Sequence, residues 1–166
     1  MNREILFKET SEYISKNNFD FFITLHFKNE VNKSQARDSL KKFLNLLNAE
    51  LFGKRSKKSL IQVSAIEKNR ETKNYHLHIV FKCPNSRISE SRPRDYRHLK
   101  QCIKNSWKSS SNQTAIDELN ISQKSPKWIK VVHDNVGISE YISKQILEGH
   151  YDVIEWDKIN ITGRRN

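Results

Sequence analysis

Two histidines separated by one residue, His76 and His78 in the stretch YHLHIVF, can hold a divalent cation if a carboxylate meets them. Successive side chains of a strand alternate sides, so both imidazoles project from one face and Tyr75, Leu77, Ile79 and Phe81 form the other row. The preceding apolar run, LIQVSAIEK, supplies the acid. If the polar stretch NRETKN closes a hairpin with Asn69 opposite Asn74, Glu67 falls across from His76 and Ala65 across from His78. Directly opposed residues have Cβ atoms about 5 Å apart, so two imidazoles and a carboxylate converge on one volume. Mixed nitrogen and oxygen ligands suit manganese, zinc or iron, and magnesium where phosphate joins the shell. Three protein ligands leave positions open for water and substrate, which is the pattern of a catalytic centre. The plainer alternative is a pair of solvated histidines on a strand surface.

A nucleophile for such a centre is found downstream. In VGISEYISKQILEG the residues Ile138, Ile142 and Ile146 form an apolar stripe, flanked by Tyr141, Lys144, Gln145 and Glu148 at spacings of three and four. A helix docked through that stripe holds Tyr141 in place and leaves its hydroxyl free to point outward. Lys144 stands one turn on, and a nearby cation favours the nucleophilic phenolate. A metal would polarise a phosphate oxygen and neutralise charge in the transition state. Against this, Tyr141 can be an amphipathic residue at the rim of a helix–sheet contact. His26, sharing a strand face with Thr24, reaches the pocket only if its strand adjoins; His98 and His133 are read as bystanders.

The chain of 166 residues is long enough for one domain with a real core and short for two. Lysine and arginine number 30 against 19 acidic residues, a formal charge of +11, and a field of that sign suits a polyanion such as nucleic acid. Cys83 and Cys102 are too few for a disulfide framework and lack zinc-type spacing. No segment has the apolar length of a membrane span, and the N-terminal MNREILFKETSEY lacks the hydrophobic region of a signal peptide. The expectation is a cytoplasmic protein with neither membrane contact nor small-molecule cofactor.

The elements that must position these groups follow from periodicity. FDFFITLHF reads as a strand, and VNKSQARDSLKKFLNLLNAELFG as a helix capped at Asn32 or Ser34 and closed by Gly53. The hairpin of Leu60–Lys68 and Tyr75–Phe81 comes next, then a helix from Arg94 to Trp107, a strand Trp128–His133 and a helix Val136–Glu148. A short strand is expected near Ile116, and the last residues read as a tail or as a final strand near Tyr151–Trp156. The order strand, helix, strand, strand, helix, strand, helix suits an α+β domain. Its central antiparallel sheet would carry helices on one face and the metal and tyrosine site on the other. Residues 84–127 are longer than such a core needs, and 150–166 read as a tail.

Taken together, FFITLHF (Phe21–Phe27), Glu67, His76-Leu77-His78 and Tyr141-Ile142-Ser143-Lys144 resemble the HUH endonuclease superfamily, in its single-tyrosine replication initiator (Rep) branch. The resemblance spans residues 21 to 144 in the family's order. It implies a ferredoxin-like core, Mg²⁺ or Mn²⁺ held by Glu67, His76 and His78, Tyr141 as nucleophile and Lys144 assisting. The implied reaction nicks single-stranded DNA at a replication origin through a 5′-phosphotyrosine bond and frees a 3′-hydroxyl, initiating rolling-circle replication of a plasmid or phage. There is no room for a helicase domain, so host helicase and polymerase would be partners. An HUH transposase, a relaxase (which generally has a third histidine where this chain has Glu67) and a non-catalytic nucleic-acid-binding module are the competing readings. Candidate DNA contacts are Arg55, Lys57 and Lys58, then Arg92, Arg94 and Arg97 beside Tyr96, with Trp107 or Trp128 for base stacking.

Overall fold

The computed structural model describes residues 2–85, 93–150 and 153–164. It is an α+β fold with the element order α1 (Arg3–Ser15), β1 (Phe21–His26), α2 (Lys33–Phe52), β2 (Gln62–Lys68), β3 (Tyr75–Phe81), α3 (Pro93–Ser110), β4 (Ile129–Val131) and α4 (Asn135–Ser143). The strands form one antiparallel sheet in the order β2-β3-β1-β4. The hairpin has the expected register: Glu67 pairs with His76 and Ala65 with His78, and Asn69 donates its N–H to Asn74 at 2.8 Å.

Alternation along the strands divides the interior in two. Phe21, Ile23, Leu25, Leu77, Ile79, Phe81 and Ile66 face α2 and α3, where Leu40, Phe43, Leu47, Ile103 and Trp107 complete the larger core. Phe22, Val63, Ala65 and Val80 face the other way, against Ile14 of α1 and Ile142 of α4. Helices therefore cover both faces, not one. The sequence expectation missed α1 because its buried face is made of Thr10, Ser11 and Ile14, too polar to register as an apolar stripe. Asn2 caps this helix, accepting from the Glu4 N–H at 3.0 Å.

The strongest helix expectation is met in detail. Asn32 and Gln35 form a reciprocal capping box at the start of α2, and Gly53 ends it at a φ of 89°, a left-handed conformation open to glycine. α3 supplies Tyr96, Leu99, Cys102, Ile103 and Trp107 to the larger core. No strand forms near Ile116; the chain there makes only a single bridge, between Phe27 and Thr114. Beyond α4, residues 153–164 return along the outer edge of β2. Ile66 donates to Val153, Glu155 to Ser64, and Gln62 and Asn160 exchange both backbone bonds. The segment 153–164 thus satisfies an edge that would otherwise expose unpaired backbone. The Glu155 carboxylate, 1% exposed, is gripped by Arg37 Nε of α2 at 2.9 and 3.0 Å.

Candidate metal and tyrosine site

Glu67, His76 and His78 offer ligand atoms that all lie within 4.8 Å of one another, on the sheet face covered by α1 and α4. The two Nε2 atoms are 3.0 Å apart, and Glu67 Oε2 is 3.1 Å from His78 Nε2 and 3.8 Å from His76 Nε2. Thr24, across from His78 on β1, places Oγ1 3.1 Å from His78 Nδ1. An Nδ1–H donating to that hydroxyl leaves His78 Nε2 as a lone pair aimed into the cluster, the tautomer being inferred from the partners. Glu67 Oε2 is buried and, for all its proximity to His78, has no hydrogen-bond partner among the described residues. A buried carboxylate oxygen without a donor is costly. A divalent cation among these atoms would satisfy the oxygen and both nitrogens, so the donor set fits a metal ion on chemistry as well as spacing.

The electrostatics agree. Desolvation, followed by repulsion from His78, brings the His76 ring down to about 4. Burial likewise lowers His78. For Glu67, burial pushes the carboxyl up, but the adjacent His78 ring and the Lys144 ammonium at 3.1 Å outweigh it and bring the group to about 2. At neutral pH the site therefore presents two neutral imidazoles and one carboxylate, the protonation states that bind metal.

α4 crosses this cluster. Asp134 caps it by accepting the N–H groups of Val136 and Gly137 at 3.0 Å, and Ile142 and Ile146 anchor it to the sheet. The helix becomes a 3₁₀ turn at Lys144–Ile146 and stops at Gly149, with a φ of 91°. Tyr141, 43% exposed, packs its ring edge-on at 5.3 Å from the His78 ring and 5.8 Å from that of Phe22. The Lys144 Nζ sits 3.9 Å above the Tyr141 ring centre and 3.1 Å from Glu67 Oε1. One ammonium thus touches both the carboxylate and the phenol ring. A groove of about 550 Å³ opens over Glu67, His76, Tyr141 and Lys144, crossed by an ion pair between Arg70 of the hairpin turn and Glu148.

His26 lies directly across from His76, with ring centres 5.5 Å apart, yet its Nδ1 is taken by Glu118 Oε2 at 2.7 Å and it stands outside the ligand cluster. None of the expected DNA contacts among the described residues lines the groove. Arg55, Lys57 and Lys58 are exposed in the turn before β2, at the Gln62 end of the sheet, about 17 Å from Glu67 at the rise of a strand. Arg94 and Arg97 are exposed on α3, which packs on the opposite face. Tyr96 is no stacking surface: it is 4% exposed, stacked on Phe21 and covered by Lys100. Trp107 and Trp128 are buried as core anchors. Arg92 lies outside the described residues. Sequence reasoning gave no role to Thr24 or Arg70. Thr24 could have been found from its alternation with His26, had the β1–β3 pairing been known.

No protein-family model, curated protein or solved structure matches this chain.

Proposed function

We propose that this protein is a metal-dependent single-strand DNA endonuclease and strand transferase, with Tyr141 as nucleophile. The observation that carries the proposal is the convergence of Tyr141 and Lys144, from the end of α4, on the Glu67–His76–His78 cluster in the sheet. Glu67, His76 and His78 would hold Mg²⁺ or Mn²⁺, which supplies charge neutralisation at a phosphate. Lys144 orients Glu67 and places a positive charge beside the phenol, where it can meet the charge of an entering phosphate. The exposure of Tyr141 lets a polymer approach where a closed pocket would exclude it. The excess of 11 positive charges favours DNA as that polymer. A bond forms between Tyr141 Oη and phosphorus as the P–O3′ bond breaks, leaving a 5′-phosphotyrosine and a free 3′-hydroxyl. Reversal on another 3′-hydroxyl rejoins the strand, the cycle that rolling-circle initiation requires.

The test is a denaturing gel of the protein incubated with a mixed pool of single-stranded DNA and Mn²⁺. A covalent protein–DNA adduct is expected, absent with chelator and absent in Tyr141→Phe. Because the ring is half in solvent, that variant should unfold within about 0.5 kcal/mol of wild type, as surface changes do. An adduct that survives Tyr141→Phe would remove the tyrosine from this role. Binding of single strands without metal response or adduct would instead identify a non-catalytic binding module.

A further inference from the structure

Tyr141 lines a second recess as well as the metal groove. This one holds about 290 Å³, at the small end of ligand pockets at roughly 300–1,000 Å³. Phe22, Val132 and Ile138 give it apolar walls, the Val131 backbone borders it, and Lys130, His133 and the Asp134 carboxylate stand at its polar rim. Glu67, His76 and Lys144 do not line it, and Lys130, Val131 and Val132 do not line the metal groove, so Tyr141 stands between the two.

The recess lies at the open edge of the sheet. β4 is the terminal strand, paired only with β1 among the described residues. Val132 donates to Asp20 and Thr24 to the Trp128 carbonyl, both at 2.9 Å. Antiparallel bonding alternates, so Lys130 opposite Phe22 bonds inward, while the Val131 N–H and C=O point to the free edge. A small apolar recess with one backbone donor and one acceptor at its lip, and an ammonium beside it, has the chemistry of a nucleobase site. The ring stacks on apolar and aromatic walls, its edge meets the backbone, and the phosphate meets the lysine.

We propose that this recess binds the base of the nucleotide on the 3′ side of the cut. The assignment of side rests on the tyrosine-nuclease reading. Entering and leaving oxygens oppose one another across phosphorus, so the departing nucleoside lies opposite Tyr141. The 5′-linked nucleoside remains attached beside the tyrosine. Tyr141 Oη gains the phosphoryl group and loses its proton to water, and the departing 3′-oxygen takes a proton from water. The recess therefore reads the base that stays on the enzyme and contributes to the choice of cleavage position.

The site can be tested without turnover. Isotope-labelled, metal-free protein is titrated with each of the four deoxynucleoside 5′-monophosphates and, as a base-free control, with deoxyribose 5-phosphate. Amide shifts at Val131, Val132 and Gly137 are expected with nucleotides and not with the sugar phosphate. Val132→Phe, which fills the recess, should weaken binding by at least about tenfold, or 1.4 kcal/mol. Lys130→Ala, at an exposed position, should weaken it while preserving the preference among bases. Equal shifts with the sugar phosphate would overturn the proposal. So would shifts confined to residues around Arg70 and Lys144, or none up to about 10 mM ligand, weaker than any useful affinity. The cleavage assay separates the two readings. An adduct whose yield ignores an abasic nucleotide 3′ of the cut removes the recess and keeps the nuclease. Nucleotide binding here without any adduct keeps the recess as a base site and removes the reaction.

Discussion

Replacing Glu67 by Gln separates the metal site from the fold. The substitution keeps shape and removes the one negative charge from the cluster. In the metal-free protein two effects oppose each other. Lys144 keeps an amide oxygen at the Oε1 position, 3.1 Å away, but loses its charged partner, and its side chain is 36% exposed and can turn to water. The cost therefore falls toward the 0–1 kcal/mol of a surface pair and away from the ~3–5 of a buried one. In return, the new amide can donate to His78 Nε2, 3.1 Å from the oxygen that has no partner now, which offsets about 1 kcal/mol. The metal-free variant should therefore match wild type within about 1 kcal/mol, or about 2–4 °C in a domain of this size. With metal the two diverge. At a concentration one hundred times the dissociation constant, wild type gains about 2.7 kcal/mol, a rise of about 5–11 °C. If losing the charged ligand weakens binding about a hundredfold, the variant gains only about 0.4 kcal/mol at the same concentration. Thermal denaturation of chelator-stripped protein, with and without Mn²⁺, reads both numbers. Equal metal-induced rises in the two proteins would refute the assignment of Glu67, and no rise in wild type would refute the site.

Other outcomes follow from the same structure. The His76 group falls from 6.5 to about 4 on folding, so the unfolded chain takes up a proton that the folded one refuses. Stability is then complete above pH 6.5 and is lost as pH falls toward 4, with about 2 kcal/mol gone at pH 5 from His76 alone. Urea melts of metal-free protein at pH 7.5 and 5 measure this, and equal midpoints would contradict it. Cys102 is fully buried and its thiol is pushed up to about 11, whereas Cys83 is only half-buried. Mass spectrometry after brief maleimide treatment at pH 7 should find one label, on Cys83, rising to two in denaturant. Arg37→Ala strips a buried carboxylate of its two charge-assisted bonds. It should cost about 2 kcal/mol and expose the segment 153–164 to protease, and unchanged digestion would show that the pair does not hold the segment.

The grouping of Glu67, His76 and His78 was legible because the strand period is rigid. One residue between His76 and His78 forces a shared face, and a turn closed at Asn69 and Asn74 forces Glu67 opposite His76. The amphipathic pattern of Ile138, Ile142 and Ile146 likewise fixed which side of α4 would carry Tyr141. These are local constraints, carried by neighbours in sequence. The basic residues were not readable in this way. A charge is compatible with any exposed position, and only the packing of α3 on the far face shows that Arg94 and Arg97 point away from the groove. Tyr96 reads equally well as a stacking platform or a core residue until Phe21 and Lys100 are seen to enclose it.

Sequence alone thus determined the grouping of Glu67, His76 and His78, the helix that carries Tyr141 and the antiparallel hairpin, all set by periodicities of two and 3.6. Tertiary structure alone decided the strand order that sets Thr24 behind His78, the docking of α1 and α4 over the site, and the return of 153–164 along β2. Those arrangements join residues far apart in the chain. They are chosen by which buried surfaces and unpaired edges fit one another, and no local spacing encodes that choice.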